Sequence, residues 1–318
     1  MTPTQLRAFA ATVRLGSVKA AAADLDVTEA AVSMHIAHLR KELGDRLFTR
    51  VASGLVFTPG GLRLASRAIE MLGLQDLTVR EVSQAGSGRR LLRLASSSLF
   101  AEHAAPGLID LFAGRADDLS VELSVHDAQR FAHLLVTRAV DAAIGPRPAT
   151  LDETLSCTPF LNYQVIAVVG GTHPLAGRQA SAAELQEQTW LLGPSAAGRT
   201  GLVPSVLRRL GIPERNQRIY QSHAAAVEDA KRGGGLALAV SFSVGKDLAA
   251  GDLRQVAGPH LPARGSWHLL ALAGQEAAST AAELRRFVAT PRATQAMLRG
   301  SGVTAGRFRP AVHVTLWT

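Results

Sequence analysis

The run TEAAVSMHIAHLRKELGDRLFTR, residues Thr28 to Arg50, decides the fold of the N-terminal part of the chain. Thr28 stands where a helix cap stands, and Val32, Ile36, Leu39 and Leu43 recur at intervals of four, three and four before Gly44. This periodicity predicts an amphipathic helix with a core-facing stripe, stopped by a residue that accepts the left-handed conformation. At 100° per residue, the stripe leaves Ala30, Ser33, Met34, Ala37, His38 and Lys41 on the outer face. Three of these, Ala30, Ser33 and Ala37, are small, so another backbone or a groove can approach closely.

Upstream, Thr2, Pro3 and Gln5 read as a cap, a first helical proline and the third member of a capping box, followed by Leu6, Phe9, Ala10 and Val13 on one face. Gly16 ends that helix and Ser17 caps a short Ala-rich one, with Ala21, Ala22 and Leu25 inward, before the compact turn Asp26-Val27. Two short helices joined by a tight turn, the second with a small-residue outer face, have the shape that fits a major groove. Downstream, Leu47-Phe48 serve as apolar anchors, Arg50 follows, and Gly54, Val56 and Phe57 form a hairpin that reads as a wing ahead of Thr58-Pro59-Gly60-Gly61.

From Leu6 through Gly16-Ser17, Ala21-Ala22, Leu25, Val27-Thr28, Ala31-Val32-Ser33, Ile36, Leu39, Glu42-Leu43-Gly44, Leu47-Phe48, Arg50 and Thr58-Pro59, the chain resembles the LysR family of bacterial transcriptional regulators. The resemblance implies that the third helix reads bases while Arg50 in the wing meets the backbone or minor groove, as a permanently charged guanidinium suits phosphate. The DNA-contacting set it implies is Ser17, Lys19, Thr28, Glu29, Ala30, Ser33, Met34, Ala37, His38, Lys41 and Arg50, with Ser33 facing either base or phosphate. Glu29 and Met34 depart from the Gln and Arg that the family often carries there, which implies an unusual DNA preference. Two readings of Glu29 stand open: an acceptor for a cytosine amino group, or a carboxylate favoured by the positive helix N-terminus. His35 and His38 lie three residues apart without a third ligand, short of a zinc site, and no metal is expected.

Thr58 and Pro59 open a long helix in which Leu62, Ala65, Ile69 and Leu72 form a stripe that wants a partner. In the family this helix pairs with its copy in another subunit. Gln84-Ala85-Gly86-Ser87-Gly88 reads as a flexible break before Arg89-Arg90. The expected organisation is a winged helix-turn-helix over residues 1–58, a linker helix and hinge over 59–88, an effector-binding domain over 89–300 and a tail, 301–318, outside the resemblance.

Beyond Leu91 apolar strands alternate with amphipathic helices, which predicts an α/β fold with largely parallel sheets. Strands are expected at Leu92–Ala95, Val121–Val125, Ala139–Gly145, Tyr163–Val169, Trp190–Leu192, Leu236–Val240 and Trp267–Leu272, with capping boxes at Ser181 to Glu184 and Thr280 to Glu283, the latter starting the last helix. The order resembles LysR sensors, implying a two-lobed α/β domain like that of periplasmic binding proteins. Lobe I falls at about 89–161 and 266–300, and lobe II at about 162–265.

Two such lobes leave a cleft at the carboxyl ends of their strands, where small ligands bind. Ser96, Ser97 and Ser98 precede a helix starting near Leu99, so they and its free N–H groups can hold an anionic effector, or simply cap the helix. Ser195, Arg199 and Thr200 lie across the cleft, where Arg199 either pairs with a carboxylate or phosphate or is solvated. The resemblance adds His126 and His223, with a structural role as the competing reading.

Among 318 residues, Lys and Arg outnumber Asp and Glu by 34 to 26, which favours polyanionic partners. The single Cys157 excludes an internal disulfide and fits a reducing compartment. The absence of an export segment or spanning run leads to a cytoplasmic expectation without membrane contact. No Gly-x-Ser-x-Gly elbow, His-Glu-x-x-His pair or phosphate loop is present, and Gly233-Gly234-Gly235 lacks the later glycine of a dinucleotide fingerprint. No cofactor and no catalysis are therefore expected. The expected partners are double-stranded promoter DNA, a small-molecule effector, RNA polymerase and further copies of the chain, as a homodimer or homotetramer. The competing reading is a small-molecule-binding protein or enzyme that uses the cleft without a DNA role.

Overall fold

The computed structural model describes residues 1–51, 54–274, 279–299 and 312–315. The chain forms two compact units, Met1–Ser87 with Val136–Ala139, and Gly88–Leu135 with Val140–Thr318.

The first unit contains α1 (Pro3–Leu15), α2 (Val18–Asp24), α3 (Glu29–Leu43), the hairpin β1 (Phe48–Val51) and β2 (Gly54–Phe57), and α4 (Pro59–Ser87). Its caps are those expected: the Thr2/Gln5 capping box on α1, the Ser17 hydroxyl accepting from Ala20 N, and the Thr28 hydroxyl accepting from Ala31 N. Gly16 and Gly44, each with φ of 64°, end α1 and α3 in the left-handed conformation. Phe9, Ala21, Val32, Ile36, Leu39, Leu47 and Phe48 build one core. Leu43, expected in that core, is exposed: it is the last residue of α3, and the returning chain fills the core with Leu47 and Phe48 instead.

α4 runs unbroken through Ser87, so the expected break at 84–88 shrinks to Gly88, whose φ of 63° stops the helix. Ala65 packs against the head core and Leu62 stays exposed, so the expected four-residue seam is divided. The first turns of α4 serve their own chain, and the exposed large apolar side chains along the helix are Leu62, Met71, Leu74, Val79 and Val82.

The second unit begins with β3 (Arg90–Ser96), α5 (Ser98–His103), α6 (Ala105–Ala113), β4 (Leu119–Val125), α7 (Phe131–Val136), β5 (Ala142–Gly145) and β6 (Leu155–Gly170). It continues through α8 (Ala182–Glu187), β7 (Trp190–Leu192), α9 (Leu202–Leu210), β8 (Gln217–Ile219), α10 (His223–Lys231), β9 (Leu236–Val240), α11 (Gly245–Ala250) and β10 (Leu253–Val256). β11 (Ala263–Leu272), α12 (Ser279–Val288), α13 (Pro291–Leu298) and β12 (Val312–Thr315) complete it.

The sheet order is β12-β4-β3-β5-β11-β6-β9-β7-β8, with β10 also on β6. It is mixed rather than largely parallel. β3, β4, β5 and β12 pair in parallel, as do β7, β8 and β9, but β11 runs antiparallel to β6 along its whole length, against Leu155–Val165. These two strands carry the sheet from one half to the other, and a register shift between Trp267 and His268 marks the crossing.

The Ala139–Gly145 strand is shorter than expected, starting at Ala142. Thr280 lies inside α12 and is buried, so it does not cap that helix, although Leu284 and Val288 face the core as expected. α13 follows α12, with Thr290 as its cap and Met297 buried, so α12 is not the last helix. Its short apolar set, Ala293 and Met297, is too sparse to stand out as a periodic stripe. Of the tail, Val312–Thr315 pairs in parallel with β4; the remainder of 301–318 lies outside the described residues.

Candidate nucleic-acid interface and effector cavity

Hydrophobic burial fixes which side of α3 faces outward. With Val32, Ile36 and Leu39 fully packed, Glu29, Ala30, Ser33, Met34, Ala37, His38 and Lys41 are all exposed, together with Lys19 on α2 and Arg50 on β1. Ser17 and Thr28 serve as caps, which commits one lone pair of each hydroxyl. Arg40, on the same helix, was not singled out in the sequence. Its guanidinium donates to Phe48 O at 2.7 Å and lies 4.7 Å over the Phe48 ring, clamping α3 to the wing.

The Thr58-Pro59-Gly60-Gly61 run has a steric explanation. Asp45 accepts from the Thr58 hydroxyl at 2.7 Å and from Leu47 N at 2.6 Å, and these bonds, Thr58 first, lower its pKa. A side chain at Gly60 would meet Asp45 Oδ2 at 2.1 Å, and one at Gly61 would meet Leu47 O at 1.9 Å. Glycine at both positions lets α4 start directly against the root of the wing.

In the second unit a cavity of about 580 Å³ is lined by residues that follow β3, β4, β5 and β7. Five expected effector residues line it: Ser97, Ser98, His126, Ser195 and Thr200. Asp127, Arg130, Tyr163 and the segment Gly201–Pro204 line it as well, and none of them stood out in the sequence, because strand ends separated by long stretches converge there only after folding. Tyr163 stacks on Trp267 with ring centroids 4.1 Å apart, and burial pushes its hydroxyl up to about 12. A Cβ at Gly265 would lie 2.7 Å from that Tyr163 ring. Burial, with a smaller contribution from Arg130, lowers the His126 pKa, which favours the neutral ring.

Three expected effector residues are not on the cavity wall. Ser96 is fully buried and its hydroxyl donates to Ser97 O. Arg199 is exposed, and its carbonyl accepts from Arg208. His223 sits behind Ser195: its Nε2 is 2.8 Å from Ser195 Oγ and its Nδ1 is 2.7 Å from Glu102 Oε2. Glu102 also accepts from His223 N at 2.8 Å and Ala224 N at 2.6 Å, closing the N-terminus of α10. Burial alone would raise the Glu102 carboxyl, but the His223 ring and the two backbone N–H groups outweigh it and hold it at about 2. Next to it, burial and the neighbouring His223 lower His103 to about 4.

Residues 3–62 match the family model described as the bacterial regulatory helix-turn-helix protein of the lysR family, and residues 85–291 match that of the LysR substrate binding domain. The chain belongs to the LysR family. An uncharacterised HTH-type transcriptional regulator of Mycobacterium tuberculosis is 57% identical to this LysR protein over 100% of both chains. The RuBisCO operon transcriptional regulator of Allochromatium vinosum is 27% identical, covering 89% of this chain and 94% of its own. Among solved structures, ArgP from Mycobacterium tuberculosis matches with a TM-score of 0.58 at 21% identity, covering 95% of this chain and 98% of that one. The full-length LysG of Corynebacterium glutamicum matches with a TM-score of 0.51 at 19% identity, covering 94% and 99%. At these identities the structures establish the shared fold.

This LysR protein is therefore a transcriptional regulator with an N-terminal helix-turn-helix and an effector-binding domain, and not an enzyme. The Ser195, His223 and Glu102 arrangement has the distances of a hydrolytic triad, yet the amides that follow Ser195 are occupied. Ala196 N donates to Gly193 O and Ala197 N to Pro194 O, so neither is available to an oxyanion. In this LysR protein the three residues tie α5 to α10 and to the turn after β7. No helix among the described residues is long and apolar enough to cross a membrane.

Proposed function

We propose that the outer face of α3 enters the major groove of promoter DNA, with Arg50 on the adjoining backbone or minor groove, and that a small molecule in the 580 Å³ cavity adjusts this binding. The observation that carries the reading is the α3 face itself: seven side chains expected to meet DNA are exposed on one helix whose opposite side is the core of the head. Ser17 and Lys19 flank it on α2, while Thr28 sets its first turn.

Ser97, Ser98, His126, Ser195 and Thr200 supply the polar contacts of the cavity, and apolar residues such as Leu99, Val125 and Val203 supply the rest. The effector is thus a small molecule with an acceptor or anionic group among apolar carbons. Ser96, Arg199 and His223 act around the cavity rather than on its wall. The exposed apolar residues of α4 supply a seam for a second copy of the chain, giving a homodimer or homotetramer that presents two heads to two half-sites. Its place of action is the cytoplasm, where effector-dependent DNA bending alters recruitment of RNA polymerase.

Genome-wide mapping of DNA bound by the purified protein, followed by retention assays with metabolites, tests the reading. Paired half-sites are expected. Affinity is expected to drop about a thousandfold or more between 50 and 200 mM salt if each dimer neutralises six to ten phosphates. Salt-independent binding, or no preferred sites, overturns the proposal.

A further inference from the structure

Outside the cavity wall, the fold gathers three side chains that the sequence keeps apart. Glu102 and His103 close α5, and His223 opens α10, 121 residues after Glu102. One ligand atom from each lies within 4.8 Å of the other two. His103 is 6% exposed and His223 2%, and His103 Nε2 is buried without a hydrogen-bond partner. We propose that Glu102, His103 and His223 form a binding site for a divalent transition-metal ion of the zinc class.

The donor set is of the right chemistry, since two imidazoles and a carboxylate are common zinc ligands and leave one position open. A buried ring nitrogen without a partner is rare in native proteins, and a metal ion gives its lone pair an acceptor. Glu102 retains capacity: a carboxylate has about four lone-pair sites, and its bonds to His223 N, His223 Nδ1 and Ala224 N use three of them. Gly193 is part of the site's construction, because a Cβ there would lie 2.3 Å from His223 Cδ2 and displace the ring.

Tetrahedral ligands at about 2.0–2.1 Å from zinc stand roughly 3.3 Å from one another. Glu102 and His223, now 2.7 Å apart, would open slightly, and His103 would close from at most 4.8 Å. Side-chain torsions supply shifts of this size.

The bond to Ser195 shows what binding would change. In the neutral imidazole, Nδ1–H donates to Glu102, so Nε2 accepts from the Ser195 hydroxyl. With the ion on Nδ1, the ring proton resides on Nε2 and donates to Ser195 Oγ, as metal-bound histidines donate through their second nitrogen. The imidazole stays neutral and the Ser195 hydroxyl proton turns away from it. Because Ser195 lines the cavity, the metal reverses the polarity of one of its hydrogen-bonding groups. The metal site itself does not rest on the effector reading.

Full-length protein treated with a chelator and dialysed would be titrated with Co(II), followed by displacement with Zn(II). One Co(II) per chain with visible d–d absorption, bleached by Zn(II), is expected. His103→Gln and Glu102→Gln keep polar side chains of similar reach and should each weaken binding by more than about a hundredfold, exceeding the loss from changing a group that only hydrogen-bonds to a ligand. Tryptophan fluorescence, to which the buried Trp190 and Trp267 of the second unit contribute, verifies that each variant is folded. His35→Ala, in the other unit, should leave the titration unchanged. Absence of stoichiometric Co(II) binding, or binding that survives both the His103→Gln and Glu102→Gln changes, overturns the proposal, while promoter binding measured on the same samples reports separately on the DNA-binding reading.

Discussion

The face of α3 and the wall of the candidate effector cavity are built by opposite means. On α3 a single helix carries the face, its side chains project into solvent, and the core behind it sets only their direction. The cavity draws on residues from Ser97 to Pro204, and Ser195 on its wall is tied through His223 to Glu102 on α5. On the proposed reading, a substitution on α3 is therefore expected to change what the protein recognises, whereas one behind the cavity is expected to change whether the site forms.

Removing the acceptor at the centre of the tied region should have the largest effect. Glu102→Ala leaves the ring and amide N–H groups of His223 and the amide of Ala224 without their carboxylate, and should cost about 3 kcal/mol in urea unfolding. A loss below about 1 kcal/mol would show that the tie is dispensable and bring the two regions closer in character. Gly193→Ala should follow at about 2 kcal/mol, as overpacking displaces His223; a stability equal to wild type would mean the ring moves freely.

On the other side of the comparison, Arg50→Ala should weaken DNA binding by roughly 1 kcal/mol on every sequence and lower the salt slope by about one, with folding unchanged. Loss confined to one sequence would move Arg50 from backbone positioning to base readout. Met34→Ala should leave stability within about 0.5 kcal/mol and alter the ranking of binding sequences, since an apolar side chain in the groove meets the thymine methyl. Selection experiments with both proteins read this out, and an unchanged ranking would remove Met34 from the recognition face.

The same difference explains how much could be read in advance. Caps, stop glycines and the Val32, Ile36, Leu39 stripe act within a turn or two of the chain, so the head was legible almost residue by residue. Leu43 escaped because whether a stripe's last member is buried depends on where the chain returns. In the sensor seven strands were legible at least in part, but β8, β10, β12, the first eight residues of β6 and the first four of β11 were not, and neither was the pairing: the long antiparallel register of β6 and β11 is a contact across about a hundred residues. Of the eight expected effector residues, five reached the cavity wall: Ser97, Ser98, His126 and Ser195 lie just past the ends of β3, β4 and β7, and Thr200 lies just before α9. Glu102 and His103, on a short helix between them, gave no periodic or motif signal, and their meeting with His223 exists only in the folded chain.

The clasp at Asp45, Thr58, Gly60 and Gly61 has a mechanical meaning. With no side chain at either glycine, the first turn of α4 bears directly on the carbonyl of Leu47 and the carboxylate of Asp45. Phe48, the first residue of the wing, is in turn gripped by Arg40 of α3. α3, the root of the wing and the first turn of α4 are thus linked by direct contacts, and on the proposed reading a rotation of α4 about its axis re-aims Arg50 and the α3 face together.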